Sequence, residues 1–201
     1  MRLRIVKVGG SLLTMPDLLE RMTNWLSGEP RFNTLLIVGG GPLVDSVREL
    51  AALREYDSEF LHWLCVDLLD TSFRLMAAQL PNAIAMATKA ALDREMDQWR
   101  REGDCVPKLG IVSVSAYYRQ DEPRTLPIEL PLTWDTTTDS LSALLAHRTR
   151  ADELVLLKSC DVPADADWFE LADRGVVDRA FPMASRGLKH VRCVNLRSIK
   201  G

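Results

Sequence analysis

Short apolar runs alternate with amphipathic stretches along this chain, with the periods of strands and helices in turn. Leu3 to Val8 is a β-branched stretch interrupted by Arg4 and Lys7, and Thr34 to Val38 is a short apolar run, each followed directly by glycine. Short, mainly apolar runs suit strands covered on both faces. Leu18, Leu19, Met22 and Trp25 recur at helical spacing and predict a helix from about Pro16 to Leu26. Pro42 suits the first turn of a helix reaching about Leu53. A longer helical pattern covers Ser58 to Gln79, and Pro81-Asn82 breaks it. A strand from Ala83 to Thr88 follows, then a charged helix through Arg94, Glu95, Asp97, Arg100 and Arg101. Gly110 to Ala116 reads as a buried strand and Pro123 to Pro131 as a proline-punctuated connection. A helix from about Asp139 to His147, the strand Leu154 to Leu157, a final helical region and the strand Val191 to Leu196 complete the pattern.

Strands alternating with helices predict an α/β fold, a three-layer α/β/α sandwich around a mainly parallel central sheet. Ligands in such folds sit beyond the carboxyl ends of the strands, where this chain places its unusual residues. The 201 residues, 47% of them hydrophobic, fit one well-cored domain spanning residues 1–201. A net charge of -3 gives no general attraction for nucleic acid or an anionic membrane. An anionic ligand must therefore be held by local positive groups. Cys65, Cys105, Cys160 and Cys193 form no CxxC pair and, beside three histidines, suggest no zinc site. They read as isolated buried thiols of a reducing compartment. The first apolar stretch is too short for a signal peptide and no run approaches a membrane span, so the expectation is a soluble, cytoplasmic protein.

Four segments carry candidate chemistry. Lys7, Gly9, Gly10 and Ser11 close the first strand, where glycines let backbone N–H groups approach an anion and Lys7 adds a charge. Gly39, Gly40 and Gly41 repeat the arrangement after the second strand. Two such loops in one sheet suggest two anionic groups held face to face, whereas a lone glycine doublet would suggest only a turn. Neither GxxxxGK[ST] nor GxGxxG occurs. The loop Trp134 to Ser140 carries Asp135, Thr138 and Asp139. Thr138 or Asp139 could cap the following helix, or Asp139 could orient two lysines or help place magnesium. Lys158 and Asp161 follow the strand Leu154 to Leu157, suiting nucleotide phosphates and ribose as well as they suit solvent.

Taken in order, Lys7-Val8-Gly9-Gly10-Ser11, Gly39-Gly40-Gly41 and Thr138-Asp139-Ser140 resemble the amino acid kinase superfamily, which has a carbamate kinase-like fold. The resemblance implies ATP and Mg2+, the metal arriving with the nucleotide. It implies that Lys7 binds the transferring phosphoryl group while Gly9, Gly10, Ser11, Thr138, Ser140, Lys158 and Asp161 line the nucleotide. Gly39, Gly40 and Gly41 would bind the acceptor, and Asp139 would organise the catalytic lysines. The acceptor side would cover about residues 1–130 and the nucleotide side about 131–201. For the second lysine, Lys158 and Lys189 are candidates, with Arg186 as a substitute. The Asp-Gly-Val/Ile-Tyr continuation common in the family is missing after Asp161.

Residues 39–48 (GGGPLVDSVR), His62-Trp63, 130–146 (LPLTWDTTTDSLSALLA) and 154–159 (LVLLKS) resemble a narrower branch. These are short kinases similar to the aminomethylfuran phosphate kinase of methanofuran biosynthesis, whose acceptor is itself a phosphate monoester. Asp45, Arg48 and His62 would then face the acceptor. Asp45 and Arg48 read equally as a surface pair, and His62 as a packed core histidine. Family members commonly pair through helices, implying a homo-oligomer, a dimer or higher, with the Ser58–Gln79 helix available for it. A non-catalytic nucleotide- or anion-binding protein on the same fold is the rival reading.

Overall fold

A computed structural model describes residues 1–103, 106–121, 128–163 and 166–199. Cys105, part of the Pro123 to Pro131 connection, and Ala164 lie outside them. Six strands form one sheet: β1 (Leu3–Val8), β2 (Asn33–Val38), β3 (Ile84–Met86), β4 (Leu109–Val112), β5 (Glu153–Lys158) and β6 (Val191–Asn195). Their order is β3-β4-β2-β1-β5-β6, and every pairing is parallel. All carboxyl ends therefore open on one side. All six residues of β1 and of β2 are buried, as strands between two helical layers require.

Alternation along the strands sorts the core into two layers. Leu3 and Ile5 of β1 face a cluster with Trp63, Val66 and Leu144, while Val6 and Val8 face one with Met22, Trp25 and Phe73. The helices are α1 (Leu18–Gly28), α2 (Pro42–Ala51), α3 (Ser58–Gln79), α4 (Lys89–Glu102), α5 (Thr138–Thr149), α6 (Trp168–Asp173) and α7 (Phe181–Ala184). In α3, Leu61 and Phe73 belong to the core, whereas Phe60 is exposed. From Thr138 to Ala146, α5 is buried on every side, so its apolar residues show no stripe.

The expected strand from Gly110 to Ala116 ends early. At Val112 the chain leaves the sheet, and Val114–Ala116 forms a 3-10 turn. The Ser113 hydroxyl donates to Asp70, and its backbone N–H makes the last bond to Met86 of β3. The final helical region is two short helices rather than one.

Candidate active site

Lys7 is the last residue of β1 on the face shared by Leu3 and Ile5. Leu154, Leu156 and Lys158 share the corresponding face of β5, the parallel neighbour of β1. Both lysines thus end their rows at the carboxyl edge, and α5 crosses the sheet there with Asp139 in its first turn. The Lys7 Nζ lies 2.9 Å from Asp139 Oδ1. The Lys158 Nζ donates to both carboxylate oxygens, at 2.9 and 2.7 Å. All three side chains are buried.

Charge at this centre is unevenly balanced. Burial would raise the Asp139 pKa, but the two ammonium groups and their hydrogen bonds outweigh it and hold the carboxyl at about 2. Burial lowers the Lys7 pKa; Asp139 opposes the fall and the Lys158 charge deepens it. The lysines are close enough to repel, and one carboxylate holds them together.

A second carboxylate supports the first. Asp178, between α6 and α7, accepts from the Thr137 N–H at 2.9 Å, the Thr137 hydroxyl at 2.8 Å and the Ser140 N–H at 3.0 Å. The Ser140 hydroxyl donates to it as well. Burial and the Asp139 charge raise the Asp178 pKa, against these hydrogen bonds. The α5 cap is therefore Thr137 with Asp178, not Thr138 or Asp139. Relieved of capping, the Asp139 carboxylate can face the lysines.

The two glycine loops touch each other. A Cβ on Gly10 would lie 2.4 Å from the Gly41 nitrogen, and one on Gly41 would lie 2.4 Å from the Gly10 oxygen. Gly41 also adopts φ 52°, so neither position accepts a side chain without displacement. The Gly9 and Gly39 N–H groups bond inside the fold, to the Leu157 and Val8 carbonyls. Those of Gly10, Ser11, Gly40 and Gly41 donate to no group among the described residues. They border one cavity of about 630 Å³ with Lys7, Asp139 and Lys158. Unsatisfied amides beside ammonium groups form an anion cradle.

Of the other expected site residues, Thr138, Asp45, Arg48 and His62 also line this cavity, whereas Gly39, Ser140 and Asp161 do not. Ser140 is bound to Asp178, and the exposed Asp161 accepts from the Asn195 amide at 2.8 Å. The Asp45 and Arg48 side chains pair at 2.6 Å, half in solvent, and the Arg48 guanidinium lies 5.0 Å from the Trp134 ring centroid. The buried His62 hydrogen-bonds the Tyr118 hydroxyl at 2.9 Å. Among the candidates for a second lysine, Lys158 reaches Asp139. Lys189 pairs with Asp152 at the opposite, amino end of β5, and Arg186 lies outside the cavity. Cys160 is exposed at the cavity rather than buried, and Cys65 and Cys193 are half-buried.

Sequence reasoning missed Asp178 and its neighbour Arg179, both lining the cavity. No spacing rule links them to a loop some 40 positions earlier. Ser159, whose hydroxyl is 2.9 Å from that of Ser11, lies in a segment whose only sequence signal is the charge of Lys158 and Asp161. Among the described residues, no three His, Cys, Asp or Glu side chains come together as a metal cluster, and no helix is long and apolar enough to cross a membrane.

Solved structures settle the architecture. UMP kinase from Bacillus anthracis superposes with a TM-score of 0.64 at 13% identity, over 98% of this chain and 88% of that one. UMP kinase from Ureaplasma parvum gives 0.62 at 12% identity, over 98% and 91%. Aspartate kinase from Synechocystis gives 0.60 at 15% identity, over 94% of this chain but 38% of that one. The fold is that of the amino acid kinases. At these identities the likeness concerns the fold alone. No family model and no curated protein matches the sequence.

Proposed function

We propose that this chain is an ATP-dependent kinase that phosphorylates a small anionic metabolite. One observation carries the reading: Asp139 bridges Lys7 and Lys158 beside unsatisfied loop amides, at the carboxyl edge of the sheet. Phosphoryl transfer asks a protein mainly to position two anions and neutralise charge, which this arrangement suits. The acceptor oxygen attacks the γ-phosphorus, the bond to the β-bridging oxygen breaks, and ADP leaves. Lys7 and the amides would hold the phosphoryl oxygens, while Asp139 fixes both Lys7 and Lys158 in place. Magnesium, entering with the nucleotide, supplies the remaining positive charge.

The electrostatics favour an acceptor that is already ionised. A carboxylate held at about 2 is a poor base, so Asp139 is unsuited to deprotonate a hydroxyl. An acceptor already ionised needs no such help. We favour a phosphate monoester such as aminomethylfuran phosphate, as in methanofuran-linked one-carbon cofactor synthesis. Its phosphate would meet Arg48, its ammonium Asp45, and its ring the apolar wall of Val44, Val66 and Leu69. A nucleoside monophosphate is the second reading, favoured by the near-complete overlap with UMP kinases.

The test is ADP release from Mg·ATP with aminomethylfuran phosphate, UMP, aspartate and glutamate as acceptors, beside calorimetric titration of Mg·ATP. Turnover on one of them is expected. Nucleotide binding without turnover on any would favour a binding protein on the same fold, and the absence of both would end the kinase reading.

A further inference from the structure

The cavity is poor in available positive charge for a site proposed to hold a triphosphate. Four cations and five carboxylates line it. Lys7 and Lys158 are committed to Asp139, and Arg48 is paired with Asp45. Arg179 differs from all three. Its side chain is exposed at the cavity and has no ionic or hydrogen-bonding partner among the described residues.

Its backbone, by contrast, is fixed on both sides. Asp178 holds the first turn of α5 through Thr137 and Ser140. On the other flank, the Ala180 N–H donates to the Asp135 carbonyl at 2.9 Å. A residue clamped at both neighbours, with a free guanidinium over an anion cradle, is poised for a ligand rather than for packing. Holding the backbone lowers the ordering cost of binding.

Resting on the kinase reading, we infer that Arg179 binds the phosphate chain of the donor nucleotide, with Asp178 as the residue that positions it. The guanidinium fork suits adjacent phosphate oxygens, which a lysine engages only as a point charge. Arg179 stands on the α6–α7 side of the cavity with Asp173 and Val177, whereas Arg48 stands on the α2–α3 side with Val44 and His62. The two cations would thus serve donor and acceptor separately.

The experiment compares calorimetric binding of Mg·ATP and of AMP to wild type, Arg179→Ala and Arg179→Lys, with circular dichroism to verify the fold. Wild type should bind Mg·ATP the more tightly. The alanine variant should weaken Mg·ATP about 10-fold or more, as for loss of a charge-assisted hydrogen bond, and AMP by less than about twofold. The lysine variant should fall between. Unchanged Mg·ATP affinity in the alanine variant, or equal weakening of AMP, would overturn this inference and leave the kinase reading standing. If wild type binds no Mg·ATP, this inference falls, and the turnover assay alone decides the kinase reading.

Discussion

Lys7 is a buried cation whose surroundings make its charge costly, with a pKa pulled down by burial despite the carboxylate beside it. A group with a lowered basic pKa binds fewer protons folded than unfolded, so at neutral pH its charge opposes folding. Stability alone would favour an apolar side chain there. Lys7→Met keeps most of the length of the side chain without its charge and leaves Asp139 paired with Lys158. We expect its thermal midpoint to equal or exceed that of wild type, while turnover falls roughly 10²-fold or more, as for other preorganised charge-stabilising groups. Calorimetry and a turnover assay on one preparation check both halves. A purely structural Lys7 would give the reverse, a lower midpoint with activity kept. Lys7 is legible from the glycines that follow it, whereas Lys158 reads from sequence equally as a solvated charge; that both end rows on one face of the sheet is seen only in the pairing of β1 with β5.

Among the elements, α5 matters most, because its first turn carries Asp139 and its cap comes from elsewhere in the chain. Asp178→Ala would strand the Thr137 and Ser140 N–H groups that it accepts from. A loss of about 1–3 kcal/mol is expected, read from the urea midpoint. Asp178→Asn keeps an acceptor and removes the repulsion with Asp139 that helps raise the Asp178 pKa. It should stay within about 1 kcal/mol of wild type. Equal losses in the two variants would show that the charge, not the acceptor, holds the helix. Here the sequence was only partly readable. The start of α5 follows from Thr138 and Asp139, each a good cap by local rules. That neither caps it depends on a tertiary contact with Asp178. The same limit applies at Ser113, where a bond to Asp70 of α3 turns the chain out of a sheet that its apolar neighbours would extend. The glycine loops were read as two anion sites, and the structure adds that Gly10 and Gly41 have no room for side chains because the loops meet.

For the whole molecule, the buried carboxylate sets the response to acid. Asp139 titrates at about 2 in the folded chain and near 3.9 when unfolded. The stability this contributes is complete above the unfolded value and is lost as pH falls from about 4 towards 2. Its size is on the order of 2 kcal/mol. Asp178, with a raised pKa, acts in the opposite sense and takes up its proton first. Urea titrations at pH 5 and 2.5 should show wild type losing about 2 kcal/mol more than Asp139→Asn over that interval. Equal losses would mean the lysine bridge does not govern the acid limb.

Strand order has a consequence for how the molecule comes into being. β1 is central, flanked by β2 and by β5, and Arg4 stands opposite Glu153, 149 positions further along. During synthesis β1 and β2 can associate early, but one edge of β1 stays open until β5 is made. Parallel pairing over such a separation closes slowly, and an open apolar strand invites aggregation meanwhile. Lys7 and Lys158 stand on either side of that seam. On the proposed kinase reading, activity should therefore arrive with the last long-range closure, because a nascent chain still waiting for β5 has Lys7 without the Lys158 that shares Asp139 with it.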